Sequence, residues 1–297
     1  MKVAVFGLGS MGYGIAQSLL RAGSTVHGFD VAPDRVERFR AEGGASGEAS
    51  EVANALDAIV LVVLNADQVR DVLFGGAGVA PDLREGAVVM ACATVPPAFA
   101  REMEAACAEH GVLYLDAPIS GGAVKAAEGE LSIMASGRPE AFTAAQPLLD
   151  AMADTVFEMG DMAGAGSAMK AVNQMLAGVH IAAMAEAIAF GVTQGISPER
   201  FMDVIPRCAG TSWMLENRGP HVVDGDYAPR SSVDIWPKDL GIVLEAAARA
   251  RFGAPLTAAA LQQFLAASGS GLGREDDAAV AKVYARNAGI TLPGTKG

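Results

Sequence analysis

The sequence contains few cysteines and has a deficit of basic residues. Its three cysteines, at positions 92, 107 and 208, are far apart and odd in number, and none belongs to a CxxC pair. They suggest neither a disulfide framework nor a zinc site, so a reducing cytoplasm is the expected compartment. Acidic residues outnumber basic ones by 34 to 22, no Lys/Arg cluster is present, and the net charge is -12. This balance argues against nucleic acid or an anionic membrane as the main partner.

Familiar metal-binding and targeting patterns are also missing. The four histidines are scattered, and the sequence has no HExxH motif, paired carboxylates or Cys/His arrangement, so no metal is expected. The N-terminal sequence MKVAVFGLGSMG becomes glycine-rich too early for a secretory signal peptide. The apolar run from Gly164 to Gly191 is nearly long enough for a membrane span, but His180 and Glu186 interrupt it. A buried core helix is therefore predicted there.

The order of secondary-structure signals indicates the fold. With 297 residues, 51% of them hydrophobic, the chain can bury a sizeable core. Up to about residue 161, short β-rich runs such as KVAVFG and AIVLVVL alternate with helical stretches, which is typical of a parallel sheet covered on both faces. The runs GELSIMASG and DTVFEMG flank a helical stretch from Pro139 to Met152 and are expected to form a hairpin-like pair that extends the same sheet. From Gly164 onwards only helical periodicity remains.

The predicted fold class is therefore α/β. A Rossmann-type, doubly wound parallel sheet is expected over residues 1–162, followed by an all-helical domain over residues 163–297, whose last few residues resemble a frayed tail. Because the linker between the two is short, the cleft between them is the expected ligand site.

A glycine-rich segment near the N-terminus carries a dinucleotide-binding pattern. The sequence GLGSMG, Gly7 to Gly12, follows a strand-like run and opens a helix, as the GxGxxG fingerprint requires. Its glycines permit a tight turn, close approach of a pyrophosphate to the helix N-terminus, and close packing of helix on strand. Asp30 ends the next strand, where a carboxylate binds ribose hydroxyls and repels a 2′-phosphate. The pattern predicts NAD rather than NADP, and the alternative is a plain glycine-rich turn with Asp30 as a helix cap.

A second motif offers a binding site for an anion. The segment DAPISGG, Asp116 to Gly122, follows a strand-like run and lies where ligands bind in doubly wound sheets. Ser120, Gly121 and Gly122 supply a hydroxyl and two backbone N–H groups, which can hold a carboxylate on an otherwise acidic protein. Taken alone, the same residues fit a flexible turn equally well.

A single cation, Lys170, lies near the start of the long apolar run. Residues at i, i+3 and i+4 share a helix face, so Lys170, Asn173 and Gln174 are expected to project together from the first turns of a helix. Burial and the positive end of the helix dipole are expected to lower the pKa of Lys170 from about 10.4 towards neutrality. Such a lysine can exchange a proton with a substrate hydroxyl while an amide orients the substrate. The alternative is a lysine that reaches solvent from a helix end.

Four segments in this order, GLGSMGYGIAQSLLRAG, DAPISGG, GAGSAMKAVNQ and KDL, resemble the β-hydroxyacid dehydrogenase family, which includes 3-hydroxyisobutyrate dehydrogenase. The resemblance covers essentially the whole chain. It implies that Ser120 to Gly122 bind the substrate carboxylate, that Lys170 is the catalytic acid/base, and that Thr94 and Lys238 border the cofactor. Many members carry asparagine four residues after the lysine, whereas this sequence has Asn173 at three and Gln174 at four. Which amide contacts the substrate therefore stays open.

Within the family, the segments NQMLAGVHIAAMAEA, AGTSWMLENRGPHVVDGDY and RSSVDIWPKDLG most resemble the L-threonate dehydrogenase branch. That resemblance implies NAD-dependent oxidation of the 2-hydroxyl of a four-carbon sugar acid, L-threonate to 2-oxo-tetronate. One alternative is a short-chain reductase of the same family that acts on tartronate semialdehyde, 3-hydroxyisobutyrate or succinic semialdehyde. The other is a non-enzymatic NAD-binding protein, against which the retained Lys170 argues.

These inferences define the expected roles. Residues 1–162 are predicted to bind NAD, and residues 163–297 to bind a small hydroxy acid and to form a homodimer or homotetramer, as is usual in the family. The predicted catalytic residues are Lys170, Asn173 and Gln174; the substrate-binding residues are Ser120, Gly121 and Gly122; the cofactor-binding residues are Gly7, Leu8, Gly9, Ser10, Met11, Gly12, Asp30, Leu64, Asn65, Thr94 and Lys238.

Overall fold

The computed structural model describes residues 1–295, and its backbone contacts divide the chain into two units, Met1–Lys170 and Ala171–Gly297. The predicted domain boundary, between residues 162 and 163, lies a little before this division. The end of the expected frayed tail, residues 296–297, lies outside the described residues.

Five parallel strands form the main sheet of the first unit. They are β1 (Lys2–Phe6), β2 (Thr25–Phe29), β3 (Ala58–Leu61), β4 (Val88–Ala91) and β5 (Leu113–Asp116). Their order across the sheet is β2-β1-β3-β4-β5, so the winding direction reverses between β1 and β3. In such sheets ligands bind at the carboxyl ends of the strands next to the reversal. Every residue of β3 and of β4 is buried, as expected for central strands covered on both faces.

Seven helices accompany these strands in the first unit. They are α1 (Ser10–Arg21), α2 (Pro33–Ala41), α3 (Ala49–Val52), α4 (Ala66–Phe74), α5 (Pro97–Ala108), α6 (Gly122–Glu128) and α7 (Pro139–Met152). The two faces of the sheet contribute to different buried clusters: Val3 and Val5 of β1 pack in one with Leu19 of α1, and Ala4 packs in the other with Leu73 of α4. Alternate residues of one strand thus face opposite layers, which confirms the doubly wound prediction.

The prediction for the two runs after residue 129 was wrong. The structure has a separate three-stranded sheet, built from β6 (Ile119–Ser120), β7 (Leu131–Ala135) and β8 (Ala153–Glu158) in that order. β7 and β8 are parallel, because the helix α7 crosses over between them, and a hairpin would need a short turn instead. β7 pairs antiparallel with β6, and Ser136, the residue after β7, forms an isolated bridge with Asp116 at the end of β5.

The second unit is helical, as predicted. The helix α8 (Ala165–Thr193) starts in the first unit and continues into the second. It is followed by α9 (Pro198–Val204), α10 (Trp213–Asp224), α11 (Ile235–Arg249), α12 (Pro255–Ala267) and α13 (Ala281–Ala288). Short 3₁₀ or π segments complete the chain, at Ala53–Ala55, Ala80–Asp82, Ile205–Arg207, Ser268–Leu272 and Asp277–Val280.

Helix α8 is the one described helix that is long and apolar enough to cross a membrane by length and composition. Its Ile181, Met184 and Ile188 are buried and pack in the core of the second unit. The most apolar stretch of the helix is 44% buried, so α8 is a core helix along one face rather than all round.

Candidate active site

The loop after β1 has the backbone that its glycines predict. Gly7 has a φ of +95°, and a Cβ there would lie 2.6 Å from the Val62 carbonyl oxygen, so a side chain is excluded by both strain and space. A Cβ on Gly12 would collide with the carbonyl oxygen of Gly7, which shows how closely α1 packs on the strand. At Gly9, by contrast, a Cβ would meet no atom within 4 Å. The loop is therefore closed where it must turn and open where a pyrophosphate would approach.

The start of α1 suits an anion. Gly9 is the N-cap of this helix and has no side chain with which to cap it, so the first N–H groups are available to a bound phosphate. Of the other predicted loop residues, Ser10 is exposed, Met11 is half-buried and Leu8 is buried. The loop residues thus fit the dinucleotide that the sequence pattern predicts.

Asp30 lies directly after β2 and braces this loop. Its Oδ2 accepts a hydrogen bond from the Leu8 N–H at 2.6 Å, and its Oδ1 accepts one from the Ala32 N–H at 2.9 Å. Arg35, which the sequence reasoning missed, lies 3.4 Å from Oδ2 and forms an ion pair with it. The Asp30 side chain is 5% exposed, whereas that of Arg35 is 50% exposed. The carboxylate keeps acceptor capacity for a ribose hydroxyl, and its charge is partly offset by the guanidinium.

The remaining predicted cofactor residues of the first unit follow β3 and β4. Leu64 is exposed, and its N–H donates to the Gln68 side chain at 2.8 Å. Asn65 is the N-cap of α4 and accepts a hydrogen bond from the Gln68 N–H at 2.9 Å, so its side chain has a local structural function. Thr94 is half-buried in the loop between β4 and α5. All three lie beyond the carboxyl ends of their strands, at the edge that Gly7 also occupies.

The predicted carboxylate-binding residues lie on β6 and at the start of α6. Ser120 is half-buried and pairs with Ser132 of β7. Gly121 has a φ of +138° and Gly122 a φ of +81°, conformations that side chains other than glycine rarely adopt. The SGG segment is therefore a strand-to-helix turn whose backbone conformation favours glycine at both positions.

Lys170 lies in the second turn of α8 and is only 8% exposed. It does not reach solvent from the helix end. Around the start of the same helix, the N–H groups of Gly164 and Ser167 donate hydrogen bonds to the buried carboxylate of Asp116, whose negative charge offsets the positive end of the helix dipole.

Asp116 is a residue whose function the sequence reasoning missed. It is fully buried, and its carboxylate accepts hydrogen bonds from the Gly164 N–H at 2.8 Å, the Ser167 N–H at 2.9 Å and the Ser167 hydroxyl at 2.6 Å. Burial raises its pKa above the ordinary value, while the donors from Ser167 and Gly164 act in the opposite direction. The available signal was its position as the first residue of the DAPISGG motif.

A chain of polar contacts connects α8 and α11 in the second unit. The Asn173 amide nitrogen donates to the Gln174 side-chain oxygen at 2.9 Å, and the Gln174 amide nitrogen donates to Asp239 Oδ2 at 2.5 Å. Lys238 Nζ forms an ion pair with Asp239 Oδ1 at 2.7 Å. Gln174 is thus engaged at both ends of its amide, whereas Asn173 uses only its nitrogen in this chain. Asp239, a neighbour of Lys238 in the KDL segment, was also missed by the sequence reasoning.

Two family models together cover nearly the whole chain. One, described as the NAD binding domain of 6-phosphogluconate dehydrogenase, covers residues 2–160. The other, described as NAD-binding of NADP-dependent 3-hydroxyisobutyrate dehydrogenase, covers residues 164–284.

Similar proteins align with this chain almost from end to end. L-threonate dehydrogenase of Cupriavidus necator is 50% identical, over 99% of this chain and 98% of that protein. L-threonate dehydrogenase of Escherichia coli strain K12 is 48% identical, over 99% of this chain and 97% of that protein. A crystal structure of 3-hydroxyisobutyrate dehydrogenase from Salmonella typhimurium superposes with a TM-score of 0.91 at 50% identity, covering 95% of this chain and 99% of that one.

Proposed function

The chain belongs to the 3-hydroxyisobutyrate dehydrogenase-like family of NAD-dependent hydroxyacid dehydrogenases, and from that premise we propose that it oxidises the 2-hydroxyl of a small sugar acid. The substrate proposed first is L-threonate, and the product is 2-oxo-tetronate. One observation carries this choice: relatives about half identical to this chain over nearly its whole length are named for that substrate.

The residues that would hold the cofactor are those of the glycine loop and the neighbouring strand ends. The open space at Gly9 and the uncapped start of α1 fit its pyrophosphate, and Asp30 fits its adenosine ribose. Leu64, Asn65, Thr94 and Lys238 are proposed to border it. When bound, the nicotinamide supplies the chemistry of accepting a hydride from the alcohol carbon.

The chain's own residues bind the substrate and move the proton. Ser120 donates a hydroxyl hydrogen bond, and the backbone of Gly121 and Gly122 donates N–H groups, to the substrate carboxylate. Lys170, in its neutral form, accepts the proton of the C2 hydroxyl through Nζ as that carbon is oxidised. Because both amide ends of Gln174 are occupied, Asn173 is proposed as the amide that contacts the substrate, and Gln174 as its support.

The second candidate is a 3-hydroxyisobutyrate dehydrogenase, or a tartronate semialdehyde reductase, of the same family. It is favoured by the name of the Salmonella structure, which is as similar to this chain as the Cupriavidus relative is. A non-enzymatic NAD-binding protein is a remote third candidate, and the burial of Lys170, together with an intact glycine loop, argues against it.

A substrate panel tests the proposal. NADH formation is measured with L-threonate, D-threonate, D-glycerate and 3-hydroxyisobutyrate, each with NAD and with NADP. The proposal expects the highest kcat/KM with L-threonate and NAD. A higher value with 3-hydroxyisobutyrate or D-glycerate would transfer the assignment to the second candidate, and no turnover of any hydroxy acid would favour the third.

The same proposal includes a homodimer or homotetramer in the cytoplasm, with no metal, nucleic acid or membrane partner. Within residues 1–295, no cluster of three or more His, Cys, Asp or Glu side chains is arranged to hold a metal ion. Met169, Val172, Leu176 and Phe190 are exposed along one side of α8, an apolar surface that subunit association would cover. Light scattering on the purified protein should give a mass of two or four chains, and a monomer would contradict this part.

A further inference from the structure

The start of α8 has no capping residue of its own. Helices usually begin with Ser, Thr, Asp or Asn, whose side chains accept the first free N–H groups, but α8 is preceded by Gly164 and starts with Ala165 and Gly166. The acceptors come instead from distant parts of the sequence. Asp116 Oδ2 accepts from the N–H groups of Gly164 and Ser167, at 2.8 and 2.9 Å.

A second acceptor lies beside the first. The Ser136 hydroxyl accepts from the Gly166 N–H at 2.9 Å and donates to Asp116 Oδ2 at 3.2 Å. The Ser167 hydroxyl donates to Asp116 Oδ1 at 2.6 Å. Asp116 and Ser136 are both fully buried. The N-terminal end of α8 is therefore attached to the ends of β5 and β7 by hydrogen bonds that are shielded from water.

Backbone packing leaves this helix end little freedom to move. A Cβ on Gly166 would collide with the Met134 carbonyl oxygen and would lie 2.9 Å from that of Asp116. Lys170 is three residues after Ser167 and therefore lies one turn beyond the attached end, on the same side of the helix.

The strand β7 connects this attachment to the proposed carboxylate site. Ser132 of β7 pairs with Ser120, and the same chain segment reaches Ser136, which bridges to Asp116 through backbone hydrogen bonds of 2.8 and 2.9 Å. Ser120, the proposed carboxylate ligand, and the start of the helix that carries Lys170 are thus both attached to β7 and the residue that follows it.

We propose that Asp116 is a positioning residue of the reaction: its carboxylate fixes the depth and rotation of α8, and so places Lys170 Nζ at the hydroxyl of a substrate held by Ser120. This inference rests on the proposed function, in which Lys170 moves the proton. Asp116 touches neither substrate nor cofactor in this account.

The first test is Asp116→Asn, which keeps the shape of the side chain but removes its negative charge and replaces one of its two acceptor oxygens with an NH2 donor. Displacement of the lysine by even about 1 Å should lower kcat by about 100-fold, with KM for the acid and the affinity for NAD little changed. Ser136→Ala should have a smaller effect in the same direction, and it serves if the asparagine variant fails to fold. Asp57→Asn is the matched control, because Asp57 also accepts a backbone hydrogen bond, from the Lys2 N–H at 2.7 Å, but precedes β3 at the opposite edge of the sheet.

The second test separates positioning from general loss of stability. In a Lys170→Ala background, Asp116→Asn should lower kcat no further, because the group that it positions is gone. An equal loss in both backgrounds, a loss matched by Asp57→Asn, or normal turnover of both Asp116→Asn and Ser136→Ala would overturn the inference. Near-normal turnover of Lys170→Ala alone would instead overturn the proposed function on which it rests.

Discussion

Single residues differ in how far the sequence reveals their function. The three glycines of GLGSMG could be assigned from spacing alone, because each is required by the backbone and space of its own position, and the structure shows the strain, the opening and the close contact expected at Gly7, Gly9 and Gly12. Asp116 and Asp239 could not be assigned, since their partners are distant in sequence or on another helix. Sequence patterns identify residues that are required by the backbone of their own segment. They miss residues whose side chains stabilise another helix or strand.

At this scale, Lys170 is predicted to be required for proton transfer. Lys170→Ala should keep the fold and the affinity for NAD but lower kcat by about two to four powers of ten, which is the usual worth of a positioned acid or base. Lys170→Arg should not restore activity, because a guanidinium remains charged and cannot accept the proton. Steady-state rates across pH provide the check: oxidation should rise through an ionisation that is absent in the alanine variant. A profile unchanged by the substitution would mean that the lysine is structural.

Asp30 is predicted to set the preference for NAD. Asp30→Ala should weaken NAD binding and improve the relative use of NADP, because the repelling carboxylate is lost and the exposed guanidinium of Arg35 is released to meet a 2′-phosphate. Arg35→Ala is the matched control, since it removes the other half of the ion pair and should make discrimination against NADP stronger. The ratio of kcat/KM for the two cofactors is the measurement. Comparable turnover of the wild type with both would contradict the assignment.

Among the helices and strands, the segments between the strands decided which predictions of strand pairing were correct. The strands of the main sheet were identified because each is an apolar run between helical stretches, as parallel sheets require. The pairing of β7 was predicted wrongly, because hydrophobic pattern identifies a strand but not its neighbour. The informative feature was the helix α7 between β7 and β8, which is long enough for a crossover and therefore makes the pair parallel.

The close contact between α8 and β7 gives a prediction about an element as a whole. In Gly166→Ala the new methyl group would collide with the Met134 carbonyl oxygen, so the helix start must shift, at a cost of about 1–3 kcal/mol in unfolding free energy. Gly241→Ala, in α11, is the control: its methyl group would meet no atom within 4 Å, and the substitution should be neutral or stabilising by about 0.5–1 kcal/mol. Urea denaturation of the two variants measures the difference. Equal stabilities would show that the contact is not tight.

For the whole molecule, composition and motif order were sufficient to predict the class of protein. The two family models agree with that prediction, one in the N-terminal half of the chain and one in the C-terminal half. They were not sufficient to specify the substrate, because closely similar relatives carry names that refer to different acids. The reason is physical: the lysine and the carboxylate site, in the roles proposed for them, would act on parts that all these acids share, namely a carboxylate and a carbon that bears both a hydroxyl and a hydrogen. Discrimination depends on how the rest of the acid is accommodated.

The identity of the product formed from L-threonate is therefore the sharpest test of the proposed reaction. The purified protein is incubated with NAD and L-threonate, NADH is followed by absorbance, and the acid formed is examined by carbon NMR, with the Lys170→Ala variant run beside it. Oxidation of the 2-hydroxyl should give a carbonyl at C2 in equal amount with NADH, and its formation should be slower by about two to four powers of ten in the variant. A carbonyl at C3, or no NADH from L-threonate while 3-hydroxyisobutyrate is oxidised, would contradict the proposed reaction.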